Sequence, residues 1–160
     1  MAVDMFLKLD NVKGEARDKA HKGEVDVLAW SWGVSQSGST HTGGGGGSGK
    51  ASFQDISITK YVDAASTSLL RMCATGEHIP SGTLTVRKAG KTPLEYIIYK
   101  MKEILVTSVS TGGSGGEDRL TENISLNFAN VAITYKEQTE TGAAGGTFEA
   151  DFKIADNEFS

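Results

Sequence analysis

Polar and apolar residues alternate along almost the whole of this 160-residue chain. Successive side chains of a β-strand point to opposite faces, so a period of two predicts strands with one buried face. Met5, Leu7 and Leu9 share such a face in the first predicted strand. Glycine-containing or polar turns bound the later segments. Those further predicted strands lie at about 25–34, 53–61, 83–89, 94–109, 121–135 and 147–154.

The predicted strand at 121–135 changes its apolar face part-way along. The apolar residues Ile124, Leu126 and Phe128 have even numbers, whereas Val131, Ile133 and Tyr135 have odd numbers. The change falls near Ala129 and Asn130. Because a shift of one residue moves every side chain to the opposite face, we predict a bulge or sharp bend there.

One segment has the spacing of a helix. Residues 66–74 are predicted to be helical, with Ser66 as the N-cap and Gly76 at the C-cap. Their apolar residues at helical spacing are Leu69, Leu70, Met72 and Cys73. Many strands, one helix and no alternation of strands with helices predict a single mainly-β domain over residues 1–160. Its architecture is an antiparallel barrel or sandwich partly covered by the helix.

Two tryptophans give the strand near residue 30 a distinctive outer face. If Trp30 and Trp32 face the core, Ala29 and Ser31 face the other way, and that face is small and neutral. Such a surface suits the lining of a channel or a contact between sheets. The alternative is an outer face that simply meets water.

Composition restricts the partners and the compartment. The net charge is -4 and no basic stripe is present, which argues against nucleic acid or an anionic membrane as the main partner. No apolar run approaches a membrane span, and residues 1–6 lack the features of a signal peptide. Cys73 is the only cysteine, which fits folding in a reducing cytoplasm. We therefore expect no membrane insertion and no nucleic-acid partner.

One string comes close to a phosphate-binding loop. Residues 44–50 read GGGGSGK, but Ala51 follows where Ser or Thr would hold Mg²⁺. The next segment alternates like a strand, whereas a phosphate loop opens a helix. We predict no nucleotide site and no cofactor.

The histidines and the cysteine do not form a catalytic or metal site in the sequence. His21, His41 and His78 lack the spacing of paired ligands, so we predict surface histidines. Cys73 lies on the apolar face of the predicted helix, where a cysteine is usually a small core residue. No other cluster pairs a nucleophile with its base, and we expect no enzyme activity.

Two glycine-rich stretches hold eleven of the 20 glycines, at 38–49 and 112–116, and each joins two predicted strands. Because glycine loses more entropy on ordering than any other residue, a partner should order these loops. We expect that partner to be a second copy of the chain. Glu117 and Asp118 beside Arg119 then favour a solvated turn or an ion pair between subunits over acid–base chemistry.

Most of the chain, up to about Tyr135, closely resembles the Hcp proteins, the haemolysin-coregulated tube proteins of type VI secretion. The longest matching motif is SVSTGGSGGEDRLTEN at 108–123. The other matching motifs are MAVDMF at 1–6, VKGE at 12–15, DVLAWSWG at 26–33, SQSGS at 35–39, the GGGGG run through Lys50, TKY at 59–61, VRKAG at 86–90 and LNFA at 126–129.

The resemblance implies an antiparallel barrel of two β-sheets with one flanking α-helix, assembled as a homohexamer. Rings of that family stack into a tube inside a contractile sheath, under a spike of the valine-glycine repeat kind. Contraction exports tube, spike and effector proteins, so the subunit is cytoplasmic before firing and secreted afterwards. Family members also carry effectors inside the ring, and the family has no catalytic residues to transfer.

The resemblance gives the singled-out residues a place in that assembly. Ala29 and Ser31 are expected to face the lumen and contact effectors. The expected contacts between rings or subunits are Gly43, Gly44, Gly45, Gly46, Gly47, Gly113, Gly116, Glu117, Asp118 and Arg119.

Two other functions remain open from the sequence. One is a solitary barrel that binds a small ligand under mobile glycine loops. The other is a tail-tube subunit of a phage-like contractile particle. The chain departs from the family pattern mainly after Tyr135, where Phe152 occupies a position that is often tryptophan in the family.

Overall fold

A computed structural model describes residues 3–38, 51–90, 93–139 and 144–160. Within these ranges the chain is mainly β with one helix, as the alternation predicts. All the strand pairings are antiparallel. The elements are β1 Val3–Leu9, β2 Val25–Asp26, β3 Ala29–Ser31, β4 Val34–Gln36, β5 Ala51–Phe53, β6 Ile56–Tyr61, α1 Ser66–Thr75, β7 His78–Lys88, β8 Leu94–Thr111, β9 Thr121–Gln138, β10 Ala144–Lys153 and β11 Glu158–Phe159.

The strands of the main sheet follow one another around a path that returns on itself. β6, β9, β8, β7 and β1 pair in that order, while β3 pairs with β6 and β2 pairs with β1. β2 and β3 belong to one stretch of chain. Between them, the Val27 amide donates to the Met5 carbonyl at 3.0 Å and the Leu28 amide to the Thr59 carbonyl at 2.8 Å. These two hydrogen bonds link the ends of the path through one stretch of chain, and the observed fold is the predicted mainly-β fold with one helix.

The strand predicted from residue 25 to residue 34 is wrong as a single element. It is divided among β2, β3 and β4 because the chain changes its pairing partner twice. Trp30 and Trp32 pack against the core as predicted. The alternation also predicts Leu28 and Val34 on the buried face of the two tryptophans. Both are exposed, so that prediction is wrong for them.

β4 and β5 form a separate two-stranded sheet. The Phe53 ring lies 5.6 Å from Phe152 and 5.5 Å from Phe159, measured between centroids, and Trp32 lies 6.3 Å from Phe152. This aromatic cluster holds the small sheet against β10 and β11. Ala51 begins a strand and not a helix, as predicted for the segment that follows the GGGGSGK string. Residues 44–50 themselves lie outside the described part.

β9 changes its buried face where the parity of its apolar residues changes, but its register with β8 is the same at Asn130 and at Phe128, so the predicted bulge is absent from this pair of strands. Residues up to Leu126 pair with β6 on one side, and residues from Asn130 onward pair with β10 on that side. Phe128 and Val131 are both buried, which confirms the predicted change of face. On the neighbouring β8, Glu103 adopts a φ of 53° next to this change of face. The left-handed backbone at Glu103 lets β8 change its buried face at the same level.

The barrel interior is filled by side chains. Leu7, Leu84, Met101, Ile104 and Leu126 are completely buried and belong to one core cluster. Because these side chains fill the interior, the strands present only their outer faces to other molecules.

α1 begins at Ser66 and ends at Thr75, with Gly76 in the left-handed conformation at its C-cap, as predicted. The N-cap is Ala65, so the prediction of Ser66 as the cap is wrong. The Asp63 carboxylate instead accepts a hydrogen bond from the Ala65 amide at 2.9 Å. Leu70 points away from the core and is 43% exposed.

A buried ion pair ties α1 to the sheet. Lys60 is completely buried, and its Nζ lies 2.5 Å from Glu122 Oε1 and 2.8 Å from Asp63 Oδ1. The Ser66 hydroxyl donates to the same Glu122 oxygen at 2.6 Å. Charges that are removed from water must be paired and hydrogen-bonded. The Lys60 ammonium meets this requirement and thereby connects β6, β9 and the start of α1.

Residues 10–24 fold over the outer face of β1 and β7. His21 is only 8% exposed, so its prediction as a surface histidine is wrong. Its ring stacks on Phe6 at 4.5 Å, and its two nitrogens contact Glu24 at 2.9 Å and Glu95 at 2.7 Å. His78 is exposed as predicted. His41 lies outside the described residues.

Arg87 anchors the same segment to the sheet. Its guanidinium donates to Asp18 at 2.6 and 3.0 Å and to Asp4 at 3.1 Å. The hydrogen bonds from Arg87 lower the pKa of Asp18 from 3.8 to about 2. The hydrogen bonds to Asp18 in turn raise the pKa of Arg87 above its ordinary value.

Candidate functional site

The outer face of β3 is the starting point of the candidate site. Trp30 packs edge-on against Tyr99 with 5.0 Å between ring centroids, and the indole of Trp32 donates to the Gln54 carbonyl at 2.8 Å. Because the two indoles point inward, the alternation of the strand turns Ala29 and Ser31 outward. Both are exposed, as the sequence predicts.

Strand pairing extends this face across three further strands. Ala29 lies opposite Thr59, and Ser31 lies opposite Ser57. Directly opposite residues of paired strands share a face, so β9 and β8 continue the same two rows. We call this surface the small-residue wall; its members are Ala29, Thr59, Asn123 and Ser110 in one row and Ser31, Ser57, Ser125 and Ser108 in the other.

The small-residue wall is neutral and shallow. All eight side chains are small or uncharged, and five of them are serines. The Thr59 hydroxyl donates to the Asn123 side-chain oxygen at 2.7 Å. Hydroxyls can both donate and accept hydrogen bonds, so the wall can meet a polar surface without fixing a single ligand geometry.

Only two members of the wall, Ala29 and Ser31, are predicted from the sequence to lie on it. Ser57 alternates with Ile56 and Ile58, and Ser125 alternates with Ile124 and Leu126, which are buried. That alternation already puts the serines on an outer face. The alternation does not give the pairing register of the strands, and that register is needed to align β6, β9 and β8 with β3.

The loop at 112–120 closes the hairpin between β8 and β9 at one end of the wall. The Arg119 guanidinium lies 3.7 Å from the centre of the Tyr61 ring, a cation–π contact within the chain. Glu117 and Asp118 are exposed beside it. The structure therefore gives Arg119 an internal partner and leaves the two carboxylates facing outward.

Glycine is required at one position of this loop. A Cβ on Gly113 would lie 2.5 Å from Leu120 Cδ2, so the absence of a side chain lets Leu120 fold back over the loop. The Leu120 carbonyl accepts a hydrogen bond from the Val62 amide at 2.9 Å. At Gly116, no described atom lies within 4 Å of the position that a Cβ would take.

The other glycine-rich stretch leaves from the opposite end of the wall. β3 runs antiparallel to β6, and β6 runs antiparallel to β9, so β3 and β9 run in the same direction. β9 starts at the 112–120 loop, and β3 therefore heads away from that loop toward β4. The expected contact residues Gly43, Gly44, Gly45, Gly46 and Gly47 lie beyond β4, outside the described residues.

Within residues 3–38, 51–90, 93–139 and 144–160, no group of three or more His, Cys, Asp or Glu side chains is placed to hold a metal ion. None of the helical residues described is part of a helix long and apolar enough to cross a membrane.

Comparison with known proteins decides the family. The model of the family described as type VI secretion system effector, Hcp, matches residues 6–135. The chain belongs to the Hcp family. The chain is 57% identical over 159 residues to protein hcp1 of Pseudomonas aeruginosa strain PAO1, covering 98% of both proteins.

Solved Hcp structures have the same fold. The crystal structure of Hcp1 from Salmonella typhimurium matches with a TM-score of 0.84 and 38% identity, covering 100% of both chains. A structure described as a type six secretion system protein matches with a TM-score of 0.93 and 30% identity, covering 99% of this chain and 100% of that one. All eight members of the small-residue wall lie within the span matched by the Hcp family model.

Proposed function

We propose that this Hcp protein is the structural subunit of the inner tube of a type VI secretion system. Six copies close into a ring with the small-residue wall facing the bore. The observation that carries the proposal is that wall, because four adjacent strands present a neutral surface made mostly of serine. A bore without large apolar patches lets a folded cargo pass without being trapped.

Ala29 and Ser31 are the proposed contacts to effector proteins, together with the serines beside them. Hydroxyl groups make weak, adaptable hydrogen bonds to many protein surfaces. Weak contacts repeated around a ring retain a cargo and still release it, because the total affinity grows with the number of simultaneous contacts. The subunit thereby acts as carrier and chaperone.

Rings stack head to tail through the two glycine-rich regions. The chain leaves the small-residue wall toward Gly43–Gly47 at one end, and the 112–120 loop lies at the other. Contacts between unlike ends leave each new end free to bind again, so stacking produces a filament. Gly113 and Gly116 allow close backbone approach, and the exposed Glu117 and Asp118 make charged contacts across the junction beside Arg119.

The tube acts with other components of the secretion machine. Its partners are itself, a spike protein of the valine-glycine repeat kind, contractile sheath proteins and effector proteins. The subunit is cytoplasmic before contraction and secreted afterwards. Its role is structural and transporting, without a catalytic residue or a cofactor.

The packed interior argues against a solitary ligand-binding barrel. Such a barrel needs an internal cavity, whereas Leu7, Met101 and Leu126 fill this interior and are completely buried. A tail-tube subunit of a phage-like particle would use the same ring. The genes that neighbour this one distinguish the two settings.

Size and shape test the assembly directly. Light scattering behind a sizing column should give a particle of about six times the 16.9 kDa subunit mass. Negative-stain images should show annuli, with end-to-end strings at higher concentration. A monodisperse particle of one subunit mass would overturn the proposal.

A further inference from the structure

Arg119 connects the 112–120 loop to the end of β6. Its guanidinium lies 3.7 Å from the centre of the Tyr61 ring, and Tyr61 lies opposite Thr121, where β9 begins. Arg119 is exposed and Tyr61 is half-buried. A guanidinium is flat and weakly hydrated, so it stacks on an aromatic face as well as carrying a charge. The contact therefore depends on the ring of Tyr61 and not on charge alone.

A backbone hydrogen bond lies beside this contact. The Val62 amide donates to the Leu120 carbonyl at 2.9 Å. Because Val62 follows Tyr61 and Leu120 follows Arg119, the hydrogen bond and the cation–π contact join the same two segments. We call Arg119, Tyr61 and this hydrogen bond the loop clamp. The clamp fixes one end of the 112–120 loop to β6.

The rest of the loop has few contacts of its own. Residues 112–118 include four glycines, and all of these residues are exposed. Within this stretch the Glu117 amide donates to the Ser114 carbonyl at 3.3 Å. Glycine loses more backbone entropy on ordering than any other residue. The clamp at the end of the stretch therefore limits the conformations in which Glu117 and Asp118 are presented.

The charge of Arg119 already acts within its own subunit. Burial and the charge of Asp63 raise the pKa of Asp26, whereas the charge of Arg119 opposes this rise. Asp26 belongs to β2 and Tyr61 to β6. Arg119 is thus attracted to both an aromatic ring and a carboxylate of its own chain.

Stacking of rings multiplies the effect of a weak contact. Each junction between the proposed rings brings together six copies of the loop. An exposed cation–π contact changes a conformational equilibrium by about two- to fivefold. Because all six loops must be in place at once, six such factors multiply to about 10²–10⁴ at one junction.

We propose that Arg119 is a positioning residue for ring stacking. It binds the Tyr61 ring of its own subunit and so holds the 112–120 loop where Glu117 and Asp118 meet the next ring. The inference rests on the proposed rings and on their head-to-tail stacking. Loss of the clamp should spare the ring and weaken the tube.

Three variants and one control test the clamp. Arg119→Gln removes the cation, Tyr61→Leu removes the ring, and Tyr61→Phe keeps it. Arg71→Gln removes another exposed arginine, on α1, and is the control. All four should keep six subunit masses by light scattering. Tyr61→Phe and Arg71→Gln should form end-to-end strings in negative stain at the wild-type concentration, whereas Arg119→Gln and Tyr61→Leu should need about 100-fold more protein or stronger crowding of rings.

Secretion gives the same comparison in the assembled machine. Each variant replaces the wild-type copy in the source bacterium, and the protein in the culture medium is measured against the protein in the cells. Arg119→Gln and Tyr61→Leu should lower the secreted fraction, and Tyr61→Phe should not. The double variant should be no worse than the more affected single one, because both changes remove one contact.

Hydrogen exchange separates positioning from a general loss of stability. Arg119→Gln should speed exchange of the Val62 amide, whose hydrogen bond to Leu120 belongs to the clamp. Ile58 and Ile124 are buried and lie opposite each other in β6 and β9, so their amides should keep their protection. The midpoint of urea unfolding should be unchanged.

The outcomes distinguish the clamp from the ring. Normal stacking and secretion of Arg119→Gln and Tyr61→Leu overturn the clamp and leave the ring standing. A defect in Arg119→Gln with a normal Tyr61→Leu places the partner of Arg119 in another subunit and also overturns the clamp. Wild-type rings that neither stack nor reach the medium overturn the stacking and the clamp together. A wild-type protein of one subunit mass overturns the proposed function itself.

Discussion

Replacing Lys60 by methionine should destabilise the fold strongly. Its ammonium is completely buried between Glu122 and Asp63, at 2.5 and 2.8 Å. Methionine keeps most of the volume of the lysine stem, so the change removes the charge and leaves two carboxylates buried together. Breaking a buried pair from one side costs about 3–5 kcal/mol of unfolding free energy.

The double variant separates the charge from the packing. Lys60→Met with Glu122→Leu removes both charges, and replacing a whole buried pair by apolar groups is often close to neutral. We therefore expect the double variant to be more stable than Lys60→Met alone. Lys102→Met, at an exposed position of β8, is the control and should change the unfolding free energy by less than about 0.5 kcal/mol.

Urea unfolding followed by tryptophan fluorescence measures these differences. All variants should be compared at one protein concentration, because assembly adds to apparent stability. In a domain of this size, 3–5 kcal/mol corresponds to a fall in the melting temperature of roughly 6–20 °C. A loss below about 1 kcal/mol for Lys60→Met, or a double variant as unstable as the sum of the single ones, would refute the reasoning.

Three further predictions concern the wall, the glycines and pH. Ser31→Gln should lower the amount of effector protein that is recovered with purified rings, because a longer side chain fills the shallow wall. Mass spectrometry measures the recovered protein, and Thr67→Gln on α1 is the control. Equal recovery from both variants would show that Ser31 does not face the lumen. Gly14→Ala should lower the free energy of unfolding in urea by roughly 1–3 kcal/mol or more, because its Cβ would lie 2.3 Å from the Glu24 carbonyl oxygen. Gly112→Ala, whose Cβ would have open space around it, should leave the free energy of unfolding unchanged. Asp18 has a folded pKa of about 2 against an ordinary 3.8, so its stabilising effect is present above pH 3.8 and is lost as the pH falls toward 2. Asp18→Asn should therefore flatten the dependence of urea stability on pH between about 4 and 2, and an unchanged slope would argue against the ion pair with Arg87.

Local patterns in the sequence predicted the elements that depend on alternation alone. The buried face of β1 and the change of buried face in β9 near Ala129 follow from periodicity, because burial of one strand face selects its own parity. The helix and its C-cap Gly76 follow from spacing and from the left-handed backbone that glycine allows. The outward direction of Ala29 and Ser31 was predicted from their alternation with Trp30 and Trp32.

Features that depend on distant pairing were missed. Lys60 and Glu122 have the parity of the buried residues Ile58 and Ile124, but charged residues are seldom buried without a partner, and a partner 62 residues away is not visible in a pattern. His21 was assigned to the surface because nothing local indicates that residues 10–24 fold over Phe6. The division of residues 25–34 into three strands likewise depends on which neighbours the chain meets.

The mass of the purified protein in solution tests the central claim most directly. Light scattering at micromolar concentration, with negative-stain images of the same fraction, measures both subunit number and shape. We predict annular particles of about six subunit masses, each subunit being 16.9 kDa. Single compact subunits at every concentration would contradict the tube assembly and the carrier role that depends on it.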